Sequence, residues 1–309
     1  MLAWLVKGVA AWRDRHVWST LRPAEPTLPT AYVRMVGIER HVAGSMLVRH
    51  GVPVVALPRG FGKTTAARIV AHQAWRDGWF SGVAYVSVPP GSTACVSELI
   101  RSHMGVDDVG RAMSRLTNNG RDPPILVIID DADRLTTTPH DAQLLCQGDL
   151  VGLAGQSLAT KEFMIAMLFD SLQAAHQVGQ WNGGSKIEMH RPFDADGVLP
   201  TEAELEELVK RQALEDPAAA ALLAALARRS RSVGLVADVA AELGGAVDPT
   251  ERAACLERAV ERSRVDARAA ADWTVGVNEW LRPETPLDRQ LVMVRKWQAE
   301  ARARLDRRG

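Results

Sequence analysis

Residues 57–64 read Leu-Pro-Arg-Gly-Phe-Gly-Lys-Thr and directly follow an apolar run, residues 53–56. A glycine-rich turn between a strand and a helix presents backbone N–H groups and the positive end of the helix, and both attract phosphate. A lysine adds a point charge for phosphate oxygens, and a hydroxyl is a ligand that magnesium accepts. The segment therefore predicts a phosphate-binding loop whose contacting residues are Pro58, Arg59, Gly60, Phe61, Gly62, Lys63, Thr64 and Thr65.

The loop departs at one position from the pattern G-x-x-x-x-G-K-[ST] that such loops follow. Gly62, Lys63 and Thr64 fill its second half, whereas Leu57 stands where the first glycine is usual. We expect the departure to be tolerated, because backbone N–H groups make the phosphate cradle and the first side chain does not. Taken alone, the segment is also compatible with an ordinary strand-to-helix turn.

A second group of residues favours phosphate chemistry. Five β-favouring residues, 125–129, are followed by Asp130 and Asp131, which is typical of a buried parallel strand that ends in acids. Carboxylates at that edge of a sheet can hold magnesium and polarise a water molecule. Asp131 and Asp133 are also compatible with a helix cap and a first-turn acid. Two motifs in this order and at this spacing predict binding of a nucleoside triphosphate.

The two motifs resemble the Walker A and Walker B motifs of P-loop ATPases of the ASCE division, AAA+-like or STAND-like, over about residues 31–230. The resemblance implies that Lys63 contacts the β and γ oxygens of ATP, that Thr64 and Asp130 hold Mg²⁺, and that Asp131 polarises the attacking water. Asp170 and Ser171 stand where this class carries a polar sensor residue, and a helix cap is the alternative for them. The expected catalytic residues are Lys63, Asp131 and Asp170. ATP is favoured over GTP because no Asn-Lys-x-Asp-like segment is present.

Strand and helix patterns alternate up to Pro200, and only helix patterns follow, beginning with the capping box Thr201 to Glu204. Alternating elements predict an α/β fold, here a P-loop NTPase parallel sheet flanked by helices and followed by a C-terminal all-helical domain. We expect an N-terminal helix and a proline-rich connector in residues 1–30, the P-loop ATPase core in 31–200 and the helical domain in 201–309.

Three further sequence features have two interpretations each. Arg228, Arg229 and Arg231 are either a sensor-2-like group that folds back over the nucleotide or cations at a helix C-terminus, and the second is favoured. Arg191 either contacts phosphate or is a solvated surface charge. Residues 36–40, Val-Gly-Ile-Glu-Arg, resemble the box that precedes the first strand in AAA+-like ATPases, and such a turn is common in other folds too.

Composition limits the remaining questions. The 37 basic and 37 acidic residues give a net charge of zero, so global charge gives no support to a nucleic-acid or anionic membrane partner. Cys95, Cys146 and Cys255 are far apart in sequence, which favours reduced core thiols in an intracellular protein. The apolar N-terminus is too short to span a bilayer, and we expect a helix that packs on the domain. The cytoplasm is the favoured location, with the nucleus or an organelle left open.

Three functions remain open from the sequence. The first is an ATP-driven mechanical or switch ATPase with a DNA or protein client, which could act as a homo-oligomer and has no membrane span. The second is a nucleotide-binding interaction module with little turnover, which Leu57 and the short Asp131 side chain permit. The third is a P-loop kinase, which the helical domain and the absence of a recognisable arginine-bearing lid disfavour.

Overall fold

The computed structural model describes residues 20–23, 32–47, 52–137, 140–181, 187–189, 195–212, 214, 216–246 and 248–280. The expected N-terminal helix, with Trp4, Leu5, Trp12 and Trp18, lies outside the described residues, and so does Arg191.

A parallel sheet forms the centre of the described chain. Its strands are β1 (Val52–Ala56), β2 (Gly82–Ser87), β3 (Ile125–Asp130), β4 (Phe163–Phe169) and β5 (Ile187–Met189). They lie side by side in the order β2, β3, β4, β1, β5. Every residue of β1, β3 and β4 is buried, which explains their continuous apolar sequences. Because β4 lies between β1 and β3, its carboxyl end stands between the glycine-rich loop and the acids of β3.

Helices connect the parallel strands, as parallel pairing requires. Helix α1 (Val36–Met46) precedes β1, and α7 (Ala195–Val198) follows β5. The connecting helices are α2 (Lys63–Arg76), α3 (Val96–Met104), α4 (Val109–Leu116), α5 (His140–Thr160) and α6 (Leu172–Gln180). The helices that follow are α8 (Glu202–Arg211), α9 (Pro217–Ser230), α10 (Val233–Gly245) and α11 (Pro249–Trp280). The predicted fold class is confirmed: a parallel α/β sheet flanked by helices and followed by a helical region. The boundary of that region near residue 200 stays a prediction.

The sheet has a buried apolar cluster on each face. Side chains of Val54, Val127 and Ile165 point to the face that α3, α4, α5 and α6 cover. Alternate residues of the same strands, such as Val55 and Ile128, belong to the other cluster. The second cluster also contains α1, α2 and the helices after Thr201, so the helical region and the sheet share one core.

Trp273 shows how closely the helical region is joined to the sheet. It lies on α11 with 3% of its surface exposed, and its indole Nε1 donates a hydrogen bond of 2.8 Å to the carbonyl of Ala56, the last residue of β1. A buried indole N–H needs an acceptor, and here the acceptor is the strand end that leads into the glycine-rich loop.

All three cysteines are free, as the sequence interpretation expects, and two of them lie in contact. Cys95 and Cys146 are far apart in sequence, yet their Sγ atoms lie 3.4 Å apart, and both are free thiols. Cys255 is buried separately, with its Sγ 4.0 Å from the carbonyl of Val239. Spacing in the sequence could not reveal this pair, because packing of α3 on α5 brings the two residues together.

Among the residues that the structure describes, no helix combines the length and apolar character that crossing a lipid bilayer requires.

Candidate functional site

The loop between β1 and α2 uses its glycines where the backbone enters the left-handed region. Gly60 has a φ of 86° and Gly62 a φ of 83°, a conformation that costs most side-chain-bearing residues about 1 kcal/mol or more. Leu57 is instead fully buried, and its amide donates to the carbonyl of Phe169 in β4 at 3.1 Å. The position of the missing first glycine is therefore a core position here, which explains why leucine is accepted.

The remaining loop residues divide into anchors and accessible groups. Phe61 is fully buried, and its amide donates to the Pro58 carbonyl at 3.3 Å, which closes the turn. Arg59 is exposed, and Thr65 is half-buried in the first turn of α2. Burial of Phe61 thus fixes the loop to the core, while Gly60 and Gly62 on either side stay partly exposed.

Lys63 is the first residue of α2 and lies among carboxylates. Its side chain is 6% exposed, and its Nζ lies 2.9 Å from Asp170 Oδ1 and 3.8 Å from Asp130 Oδ1. A buried ammonium requires such partners, because an unpaired charge in the interior is costly. The lysine therefore connects the carboxyl ends of β3 and β4, and Asp170 faces it rather than capping α6.

Asp130 accepts hydrogen bonds from two neighbouring elements. The Thr64 hydroxyl donates to its Oδ2 at 2.9 Å, and the Tyr85 hydroxyl of β2 donates to the same oxygen at 2.5 Å. Burial and the adjacent carboxylate raise the pKa of the Tyr85 phenol, so the phenol stays protonated as a donor. The Arg68 guanidinium lies 4.7 Å from the centre of the Tyr85 ring. The two residues predicted to hold magnesium, Thr64 and Asp130, are therefore brought together. Tyr85, which the sequence did not indicate, holds the Asp130 carboxylate through its hydroxyl.

Asp131 directs its carboxylate toward the end of β2. Its backbone is left-handed, with a φ of 56°, which aspartate adopts more readily than most residues. Its Oδ2 accepts from the Ser87 hydroxyl at 3.0 Å and pairs with Arg134 Nη1 at 3.2 Å, and Arg134 also donates to the Val88 carbonyl. The side chain makes no capping bond to the short 3-10 turn Ala132–Leu135, so the capping alternative does not apply to it.

Ser171 caps α6, and Asp133 holds the backbone just before it. The Asp133 carboxylate accepts from the amides of Asp170 at 2.6 Å and Ser171 at 2.8 Å. Burial raises the pKa of Asp133, and the two amide hydrogen bonds oppose that rise. The Ser171 hydroxyl accepts from the Ala174 amide at the start of α6. Asp133 thus holds the backbone at the end of β4 and so orients Asp170.

The N-terminus of α10 lies directly against the glycine-rich loop. The Gly234 amide donates to the Gly60 carbonyl at 2.6 Å. A Cβ atom on Gly234 would lie 2.9 Å from Gly60 Cα, which is too close for a side chain. Ser232 caps α10 beside the same loop. Its Oγ would lie 3.0 Å from a Cβ atom on Gly60. The helical region therefore contributes one wall of the candidate site.

The arginine that approaches this loop is not in the group identified from the sequence. Arg228 pairs with Glu206 of α8 at 3.2 Å, and Arg228 and Arg229 lie in the last turn of α9. Arg262 of α11 has its Nη2 3.9 Å from the place that a Cβ atom on Gly60 would occupy, and it pairs with Asp238 at 2.7 Å. The positions of Arg228 and Arg229 agree with the helix-end interpretation of the group. Arg262, which lies near Gly60, is the better candidate for a contact over the loop.

The segment 36–40 differs from its sequence interpretation as a turn. It lies inside α1, and Glu39 is 6% exposed. Glu39 accepts from the Tyr32 hydroxyl at 2.8 Å and from Arg34 Nε at 2.7 Å. Its buried carboxylate anchors the segment that precedes α1, which is a structural role.

The arrangement suits a phosphate chain with a hard cation. One ammonium, a left-handed glycine pair and a helix N-terminus favour polyphosphate, and the Thr64 hydroxyl beside the Asp130 carboxylate is a donor set that magnesium accepts. Among the described residues no cluster of three or more His, Cys, Asp or Glu side chains could hold a metal. A magnesium ion bound to a nucleotide does not need such a cluster, because one or two carboxylates, water molecules and the phosphates themselves usually hold it.

Sequence reasoning missed four side chains of this arrangement: Tyr85, Ser87, Arg134 and Arg262. The sequence carried a signal for Ser87, because it is a polar residue at the end of an apolar strand. In the structure that strand pairs with β3, and Ser87 lies opposite Asp130. Arg134 follows Asp131 by three residues, a spacing that a short helical turn brings together. Nothing in the sequence distinguishes Arg262 from the other arginines of α11.

The chain shows only low similarity to known proteins. No protein-family model matches the chain, and no curated protein matches it. Among solved structures, the Walker-type ATPase PABY2304 of Pyrococcus abyssi matches with 14% identity and a TM-score of 0.47, over 82% of this chain and 77% of that one. The Aeropyrum pernix ORC2 protein, in ADPNP-ADP complexes, matches with 16% identity and a TM-score of 0.46, over 81% and 72%.

Proposed function

We propose that this chain, which has the fold of a P-loop ATPase of the ASCE division, binds ATP with magnesium and hydrolyses it as a mechanical or switch ATPase. The observation that carries the proposal is the meeting of Lys63, Thr64, Asp130, Asp131 and Asp170 at one edge of the sheet. These residues come from three separate segments of the chain, and only the fold brings them together.

Each residue has a role that its surroundings support. Lys63 exchanges its carboxylate partners for the β and γ phosphate oxygens, because the phosphate chain carries more negative charge than one carboxylate. Thr64 and Asp130 hold magnesium, with Tyr85 fixing the Asp130 carboxylate, and the metal when bound neutralises phosphate charge. Asp131 orients the attacking water. Asp170 faces the terminal phosphate and acts on it indirectly, through Lys63 or a bridging water molecule.

A nucleotide-binding module with little turnover is the second candidate. The observation that favours it is the engagement of Asp131, whose Oδ2 is shared by Ser87 and Arg134. A carboxylate oxygen that already contacts a cation and a hydroxyl is less accessible to a water molecule until one partner is released. Turnover would then depend on a client, DNA or protein, that moves the end of β2.

ATP turnover by the full chain separates these proposals. We expect release of phosphate from ATP in magnesium buffer and none in EDTA, measured by a phosphate-detection assay with and without duplex DNA. Binding of ATP without release of phosphate under either condition would favour the interaction module. Transfer of the terminal phosphate to a small molecule, with no free phosphate, would favour a kinase. Failure to bind ATP at all would contradict the proposed function.

The Arg262→Ala variant tests whether the helical region contributes to catalysis. We expect turnover to fall on the order of tenfold to a hundredfold with ATP affinity nearly unchanged, because an arginine over the loop stabilises charge that develops on the leaving phosphates. Arg258→Ala is the matched control, since Arg258 lies one turn earlier on α11 and pairs with Glu242 at 2.8 Å. Equal turnover in both variants would remove Arg262 from the catalytic arrangement.

A further inference from the structure

Two thiols lie in contact outside the candidate site. Cys95 ends the loop that leads from β2 and is the N-cap of α3, whereas Cys146 is buried on α5. Their Sγ atoms are 3.4 Å apart, so an approach of about 1.4 Å would reach the usual disulfide bond length. This is a displacement that small side-chain rotations can supply.

A second contact keeps the two helices in this register. The Ser97 amide, in the first turn of α3, donates to Asp149 Oδ2 of α5 at 2.8 Å. Ser97 and Asp149 are each within one turn of a cysteine, so the hydrogen bond holds the thiols opposite each other. Packing of apolar residues from α3 and α5 in the same buried cluster supports the same arrangement.

We propose that Cys95 and Cys146 form a modification site, at which an oxidant of the disulfide class, such as glutathione disulfide, produces a reversible disulfide between α3 and α5. Cys95 is the partly exposed member and reacts first. Its thiolate attacks one sulfur of glutathione disulfide and releases one glutathione. The Cys146 thiol then loses its proton and attacks Cys95 Sγ, which releases the second glutathione. Two protein thiols are oxidised and one glutathione disulfide is reduced to two glutathione molecules.

The surroundings predict how fast this reaction proceeds. Burial raises the pKa of the Cys95 thiol, and burial together with the contact to Cys95 raises the pKa of Cys146 to about 12. Both groups are thus protonated at neutral pH, and the rate should rise with pH because the thiolate is the attacking species. The pair suits a slow response to sustained oxidation.

The disulfide would link two segments that adjoin the candidate site. The loop that ends at Cys95 begins beside Ser87 and Val88, which contact Asp131 and Arg134. Helix α5 follows the short turn that carries Arg134. A bond between Cys95 and Cys146 would therefore fix the β2–α3 connection against the segment that follows β3.

The test uses the reduced full chain incubated with glutathione disulfide at pH 8, followed by alkylation in denaturant and mass spectrometry. Of the three cysteines, we expect one to remain alkylatable, with a Cys95–Cys146 cross-linked peptide that dithiothreitol removes. The oxidised chain should also unfold at a higher urea concentration, with an unfolding constant lower on the order of a hundredfold.

Cys95→Ser is the matched control, because serine is a good N-cap and keeps the start of α3 intact. It should keep both remaining thiols alkylatable after oxidation, whereas Cys146→Ala lacks the resolving thiol and should retain a glutathione adduct on Cys95. If Cys146→Ala does not fold, Cys95→Ser alone carries the comparison. In the unmodified chain, a stable glutathione adduct on Cys95, a disulfide that includes Cys255, or three alkylatable thiols after treatment would overturn the proposal. None of these outcomes depends on nucleotide, so the result is separate from that of the proposed function.

Discussion

Replacing Lys63 with alanine is expected to abolish ATP binding and hydrolysis while leaving the fold intact. Lys63 Nζ is the buried cation at the meeting point of β3 and β4, 2.9 Å from Asp170 and 3.8 Å from Asp130. A hydrogen bond to a charged group contributes about 1.5–3 kcal/mol, so losing two phosphate contacts should weaken affinity on the order of a hundredfold to ten thousandfold. Isothermal titration with a non-hydrolysable ATP analogue measures this loss directly.

Controls for this variant must separate charge from packing. Lys63→Met keeps most of the buried stem and removes the ammonium, so it should lose affinity as Lys63→Ala does. Lys210→Ala removes an exposed lysine at the end of α8 and should bind as the unmodified chain does. Circular dichroism and thermal unfolding check that each variant is folded. Wild-type affinity and turnover in folded Lys63→Ala would show that the loop assignment is wrong.

Substitutions at the two acids that end β3 are expected to separate binding from turnover. Asp131→Asn should keep ATP affinity within about twofold and lower turnover on the order of a hundredfold to ten thousandfold, because an amide cannot accept the proton of water. Asp130→Ala should weaken magnesium-dependent binding about tenfold or more, because it removes the carboxylate beside the Thr64 hydroxyl. Titrations with and without EDTA, together with a phosphate-release assay, measure both effects.

The loss of metal gives this pair of variants an internal control. In EDTA, Asp130→Ala and the unmodified chain should bind ATP equally weakly, since the difference between them is the metal contact. Asp272→Asn, at an exposed position of α11, should behave as the unmodified chain. Small and equal effects at both acids would support the interaction module. An active Asp131→Asn chain would move the base elsewhere, with Asp170 next in order.

Local patterns predicted the parts of this molecule that depend on neighbouring residues. The run of β-favouring residues 125–129 predicted β3 to within a residue, and the capping box at Thr201 marked the start of α8. Lys63, Thr64 and Asp130 follow from motifs in which spacing along the chain determines position in space. For the same reason Asp170, directly after a buried strand, could be placed at the carboxyl edge of the sheet.

Contacts between distant segments could not be predicted in this way. Arg262 approaches the loop because α11 packs across the core, and its sequence neighbours resemble those of other exposed arginines. Leu57 looked like a weakness of the motif, whereas the structure makes it a buried position where a side chain contributes to packing. The pairing of Cys95 with Cys146 likewise depends on the packing of two helices, which sequence spacing does not encode.

The bond from Trp273 to the Ala56 carbonyl has a consequence for the synthesis of this protein. The two residues are 217 positions apart, so at 5–20 residues per second the ribosome adds Trp273 roughly 10–40 s after Ala56. Throughout that interval the Ala56 carbonyl lacks this donor, and the apolar cluster that the helical region completes lacks the residues of α11. A nascent chain in this state exposes apolar surface of the kind that chaperones bind, and its candidate site is completed only when the helical region has been made.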